Sequence, residues 1–147
     1  MQFTCTVDIN APIYKVSTLF HDSAHFSKWQ DGFVSHDHIS GTPGRVGAVS
    51  RVKYNTGKHK VELQETITVL NLPHQISALY EHKHMVNTMV NSFTVIPANQ
   101  TRLITTIEYT KFYGLVPKLM ALFMPGVFKK QTQKWLDQFK IFAEKAA

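Results

Sequence analysis

A chain of 147 residues that is 44% hydrophobic, 12% aromatic and 18% charged has room for one domain of ordinary size, and its composition excludes disorder as the main state. A lone cysteine, Cys5, excludes an internal disulfide and a cysteine-rich zinc site, and is read as the mark of a reducing compartment. Sixteen Lys and Arg against ten Asp and Glu give a net charge of +6, five of it on residues 111–147, where seven lysines face Asp137 and Glu144; the rest of the chain is nearly neutral, so a nucleic-acid partner is not expected.

In chain order, Phe3, Cys5, Val7 and Ile9 alternate with polar residues, the period-2 signature of a strand with one buried face. Asn10 as a cap and Pro12 in the first turn then open a helix whose Ile13, Val16, Leu19 and Phe20 fall at helical spacing. Asp22 and Ser23 start a second, short helix carrying Phe26 and Trp29. From Gly32 to Thr110 short alternating runs are separated by turn residues, among them Asn55-Thr56-Gly57-Lys58, Asn71-Leu72-Pro73 and Pro97-Ala98-Asn99-Gln100. The predicted strands are 33–39, 46–54, 59–70, 75–81, 85–96 and 101–110, which with the first makes seven antiparallel strands. After Lys111 the period lengthens to that of a helix, which Pro125-Gly126 should kink or split.

No charged, apolar and cleavable leader opens the chain, and the apolar stretch from Phe112 to Phe128 is interrupted by Pro117, Lys118 and Pro125. A cytoplasmic protein is the expectation.

The opening Val7-Asp8-Ile9-Asn10-Ala11-Pro12, with Val16, Phe20, Asp22, Phe26 and Trp29, resembles the START-like, Bet v 1-like superfamily, also called SRPBCC or polyketide cyclase/dehydrase-like. Glu65-Thr66-Ile67 with Pro73, Thr101-Arg102-Leu103 and the stretch from Phe139 to Glu144 are similar to the same group. The resemblance implies an α+β helix-grip fold over residues 1–147, with a seven-stranded curved antiparallel sheet wrapped around a long C-terminal helix. It also implies a cavity between sheet and helix. Members include lipid carriers, hormone binders, cyclases and chaperone activators, so the fold leaves the activity open.

Within the strand 59–70, Glu65 shares its phase with Val61, Leu63, Ile67 and Val69. An isolated carboxylate on an apolar face is costly, so Glu65 should be paired, protonated or facing a wet cavity; a sheet-edge position in contact with solvent is the alternative. In 85–96, the phase of Met85, Asn87, Met89, Asn91, Phe93 and Val95 is taken as inward, because thioethers and a phenyl ring suit an irregular apolar cavity and two amides could orient a ligand. Core packing with amide pairs between strands accounts for the same residues equally well. Tyr80 and Tyr109 combine an apolar ring with one hydroxyl. On the last helix Leu119, Met120, Phe123 and Val127 are expected to look into the sheet, with Trp135, Leu136 and Phe139 continuing the stripe.

The pairs His36-x-His38 and His82-x-His84 match no zinc spacing, so no metal is expected. The run His21-Asp22-Ser23-Ala24-His25 reads as helix capping and Gly41 to Gly47 as a turn. No cofactor is implied.

The first functional reading is a module that binds a small lipophilic ligand, its polar end anchored by Glu65, Asn87, Asn91 or a tyrosine. Alternatives are a cyclase or dehydratase with Glu65 as general base, and a protein-interaction module of the chaperone-activator kind. A transient contact between the apolar, lysine-flanked Phe112 to Met124 stretch and an anionic membrane is a further expectation.

Overall fold

A computed structural model describes residues 1–147 apart from the side chain of Phe123. The alternating opening run forms β1, Gln2–Ile9, with Cys5, Val7 and Ile9 buried and their polar neighbours exposed. Helix α1, Ile13–His21, buries Ile13, Val16, Ser17 and Phe20 on one face. Asn10 does not cap it: the helix starts after Pro12 without a side-chain cap, and the Asn10 backbone N–H donates instead to Glu144 Oε2 at 2.7 Å. Asp22 does open the following 3-10 helix, Ser23–Lys28, by accepting from the Ala24 N–H at 3.0 Å.

Six strands follow: β2 Phe33–Ser40, β3 Val49–Asn55, β4 Lys60–Asn71, β5 Gln75–Glu81, β6 Met85–Ile96 and β7 Gln100–Phe112. They form one antiparallel sheet in the order β1-β7-β6-β5-β4-β3-β2. Strand β3 begins three residues later than the alternation predicts. Arg45 closes a turn on the Thr42 carbonyl and Gly47 adopts φ +88°, so Val46 is left exposed before pairing starts.

One extra residue, Thr68, bulges from β4 between the Ile67–Ala78 and Val69–Ser77 pairs. A bulge reverses the facing of everything beyond it, so Leu70 packs against the core and Val69, expected inward, is exposed. Val95, also expected inward, is exposed near the end of β6.

The C-terminal helical stretch is split as predicted. Helix α2, Leu115–Phe123, ends at Met124 (φ −134°, ψ 48°), and α3, Pro125–Lys145, starts on the proline, whose missing N–H is harmless in a first turn.

Helix α3 is held from both ends of the sheet. Gln133 Nε2 and Lys140 Nζ donate to the Thr6 and Asp8 carbonyls of β1, at 3.1 and 2.8 Å. Toward the opposite edge, the Tyr54 ring of β3 stacks on Trp135 with centroids 5.3 Å apart. A sheet whose first and next-to-last strands both touch one helix must curl around it, and that helix supplies the fully buried Phe139 and Ala143 and the nearly buried Leu136. Phe139 meets Phe20 and Trp29, each with centroids 5.1 Å away.

Candidate functional site

Register decides which polar side chains meet on the concave face. Cross-strand partners run His38–Ser50–Glu65–Tyr80–Asn87–Tyr109, one row over six strands. Beside it runs an apolar row, Ile67–Ala78–Met89–Ile107–Phe3. Residues paired directly across strands share a face, so the polar row lies inside the curl.

Glu65 is the centre of this row. Its side chain is 12% exposed. The Tyr80 hydroxyl donates to Oε2 at 2.8 Å, and His36 Nε2 lies 2.9 Å from Oε1. His36 reaches it from two strands away, past the small Ser50 that pairs with Glu65 in β3. Contact with Glu65 raises the His36 pKa against the opposing effect of burial. Burial, reinforced by the nearby Glu65 charge, pushes the Tyr80 pKa far above its ordinary value. The same causes raise that of Tyr54. Both phenols therefore stay protonated and act as donors. The Tyr54 hydroxyl donates to Gln30 Oε1 at 2.7 Å.

An aromatic wall stands beside these groups. Phe26 meets the His36 ring edge-on at 5.5 Å, and Phe33 meets Tyr54 at 6.0 Å. Trp29 sits in this wall, nearly buried and packed against Phe20 and Phe26, which makes it a core aromatic in this structure.

The other sequence-selected residues divide by position. Phe93 is buried against Phe20, and Asn91 is buried with its amide committed within the sheet, accepting from Thr105 Oγ1 at 2.7 Å and donating to the Ile76 carbonyl. Ile67 is buried, whereas Leu63, Met85, Asn87, Met89, Tyr80 and Tyr109 are only partly so. The inward face of β6 thus changes along its length, from packed at Asn91 and Phe93 to part-open at Met85 to Met89. Tyr109 closes this part-open end against Phe112 and Phe128, with centroids 5.6 and 5.0 Å away, and burial pushes its pKa up to about 12.

The α2 expectation is corrected. Leu119, Met120 and Val127 do not bury themselves in the sheet: Leu119 and Met120 are exposed because α2 stands off the sheet and packs mainly on α3, and Val127, in the first turn of α3, is exposed as well. The Phe123 side chain lies outside the described residues.

Two open grooves are present elsewhere on the surface. One of about 620 Å³ lies between residues 27–33 and the end of α3; the other, of about 790 Å³, lies over β3, β4 and the β5–β6 turn. Neither is walled by Glu65, Tyr80 or His36. His82 and His84 turn to each other, the His84 N–H donating to His82 Nδ1 at 3.1 Å. Among the described residues no three metal-ligating side chains converge.

His36, Tyr54 and Gln30 were not selected from sequence. Tyr54 shares the inward phase of Ser50 and Val52, which was a readable signal. His36 stood out only in the His36-x-His38 pair and Gln30 not at all, and nothing tied either to its partner, which lies 29 and 24 residues away.

Comparison with known proteins agrees with this geometry. Residues 1–144 match the family model described as polyketide cyclase / dehydrase and lipid transport. No curated protein matches the sequence. Among solved structures, the ZhuI aromatase/cyclase from Streptomyces sp. R1128 is similar with a TM-score of 0.81 at 14% identity, covering 99% of this chain and 94% of that one. TTHA0849 from Thermus thermophilus is similar with a TM-score of 0.78 at 15% identity over 97% of both chains. Ara h 8.0201 gives 0.77 at 11% identity over 99% of both. At such identities the likeness shows the fold. The family match over nearly the whole chain, on a seven-stranded sheet curled around its last helix in a Bet v 1-like fold, shows that this chain belongs to the polyketide cyclase/dehydrase and lipid-transport family.

Proposed function

We propose that the protein binds a small lipophilic molecule, a lipid, polyketide or aromatic metabolite, on the concave side of β4–β6 beneath α3. One observation carries this reading: a carboxylate held by two side-chain partners in a polar row that runs beside an apolar one, on a face only partly buried at Met85, Met89 and Tyr109. Burial of ligand surface at about 25 cal/mol per Å² supplies the affinity, whereas one hydrogen bond nets only about 0.5–1.5 kcal/mol. Glu65, Tyr80 and Asn87 accordingly orient the ligand's polar end more than they hold it. Trp135 Nε1, a buried donor beside the Tyr54 ring without a protein partner, is a further handle for a ligand oxygen.

A second reading rests on His36. An imidazole whose pKa is raised by a carboxylate that also accepts from a phenol is an acid–base pair of the kind a cyclase or dehydratase requires. In that chemistry Glu65 takes a proton from carbon and, once protonated, no longer needs the Tyr80 hydroxyl as donor, which turns its O–H to the enolate oxygen that develops.

Native mass spectrometry of gently purified protein is the test. A passenger mass that disappears on denaturation, and is absent from Met89→Trp, whose larger side chain obstructs the proposed site, is the expected result. A bare chain that also takes up neither a long-chain fatty acid nor a polycyclic phenol would sink the binding reading. Glu65→Gln separates the two readings, since retention of ligand with loss of its turnover signifies catalysis.

A further inference from the structure

We infer that α2 and the start of α3 form a docking surface for an anionic lipid bilayer. Apart from Lys118, every residue from Leu115 to Phe128 is apolar, a proline or a glycine, and a helix apolar on all sides is stable only when something covers it. Here Leu115, Val116, Leu119, Met120, Leu122, Met124 and Val127 are between 38 and 72% exposed. Such a contiguous patch marks an interaction site.

Charge says what covers it. The exposed Lys111, Lys129 and Lys130 flank this stretch along the chain and Lys118 lies within it, none of them in an ion pair among the described residues, and the nearest acids along the chain, Glu108 and Asp137, lie beyond both ends. Exposed apolar side chains interspersed and flanked with unpaired lysines match acyl chains beneath anionic headgroups. A second copy docking by two-fold symmetry would bring an equally cationic patch against this one, with no acid in it to offset the lysines. Nine residues of helix span roughly 14 Å, far short of a bilayer core of about 30 Å, so α2 lies in the interface. The patch runs into the Tyr109–Phe128 contact, which places a bilayer beside the partly buried end of β6. The inference goes beyond the ligand reading, and its test needs no ligand.

Flotation with phosphatidylcholine vesicles, with and without about one-third phosphatidylserine, is expected to recover the protein only with the anionic vesicles, and less of it as salt rises well above about 0.1 M. Lys129→Gln and Lys130→Gln should each weaken partitioning about five-fold. Leu122→Asp should abolish it. The Leu122 side chain is mostly solvent-exposed, so unchanged circular dichroism is expected of that variant. As a second readout, fluorescence of Leu122→Trp should be quenched by brominated acyl chains in the anionic vesicles. Failure to float with either vesicle, flotation indifferent to the lysine changes, or a concentration-dependent dimer that Leu122→Asp disperses would each overturn the proposal, the last by assigning the patch to a second copy.

Discussion

Glu65 and His36 meet across two strands at 2.9 Å, and their contact ties the candidate site to pH. The His36 pKa is raised in the folded chain, chiefly by its bond to Glu65. Below about pH 6.5, the ordinary histidine value, the imidazolium is present both folded and unfolded, and the pair contributes in full. As pH rises through the elevated folded pKa, that contribution is lost. Urea denaturation of wild type and His36→Gln between about pH 6 and 9 should show a stability gap that is widest at the acid end. A gap that stays flat would mean that the pair does not form in solution. Glu65 could be picked out from sequence because it breaks an apolar phase within its own strand. His36 could not: alternation places a residue on a face but does not say which residue of another strand lies beside it.

At the scale of elements, two glycines of similar sequence appearance have opposite roles. Gly32 adopts φ +75°, and a Cβ there would lie 2.6 Å from the Asn55 carbonyl oxygen, across the tight joint where Asn55 N–H bonds the Gly32 carbonyl. Gly32→Ala should therefore lower stability by about 1–3 kcal/mol in urea melts. Gly126, in the first turn of α3, has open space where its Cβ would be. Gly126→Ala should raise stability by about 0.5–1 kcal/mol, since alanine loses less freedom on entering a helix. Element types were legible because each strand and helix carries its own period. The Thr68 bulge was not, and it exchanged Val69 for Leu70 at the core. The Pro125 break was read correctly as a place, but its consequence, a preceding helix that stands off the sheet with Leu119 and Met120 exposed, depends on where the broken piece finds contacts.

For the whole molecule, Phe139 is the keystone of the grip. It is fully buried and meets Phe20 and Trp29 where α1, the 3-10 segment and the sheet converge. Phe139→Ala should cost about 3–5 kcal/mol, a large share of the roughly 5–15 kcal/mol that holds an ordinary domain folded, and urea denaturation would measure it. The amino-acid sequence by itself determined seven strands, the early helices, the broken C-terminal helical stretch and a carboxylate on an apolar face, because hydrophobic period and turn chemistry are local properties of the chain. Only the tertiary structure decided that His36 and Tyr80 hold that carboxylate, that Asn91 is bound within the sheet, and that α2 is left uncovered. Those outcomes follow from register, bulges and the docking of α3 against β1, which join residues far apart in the chain and leave no periodic trace along it.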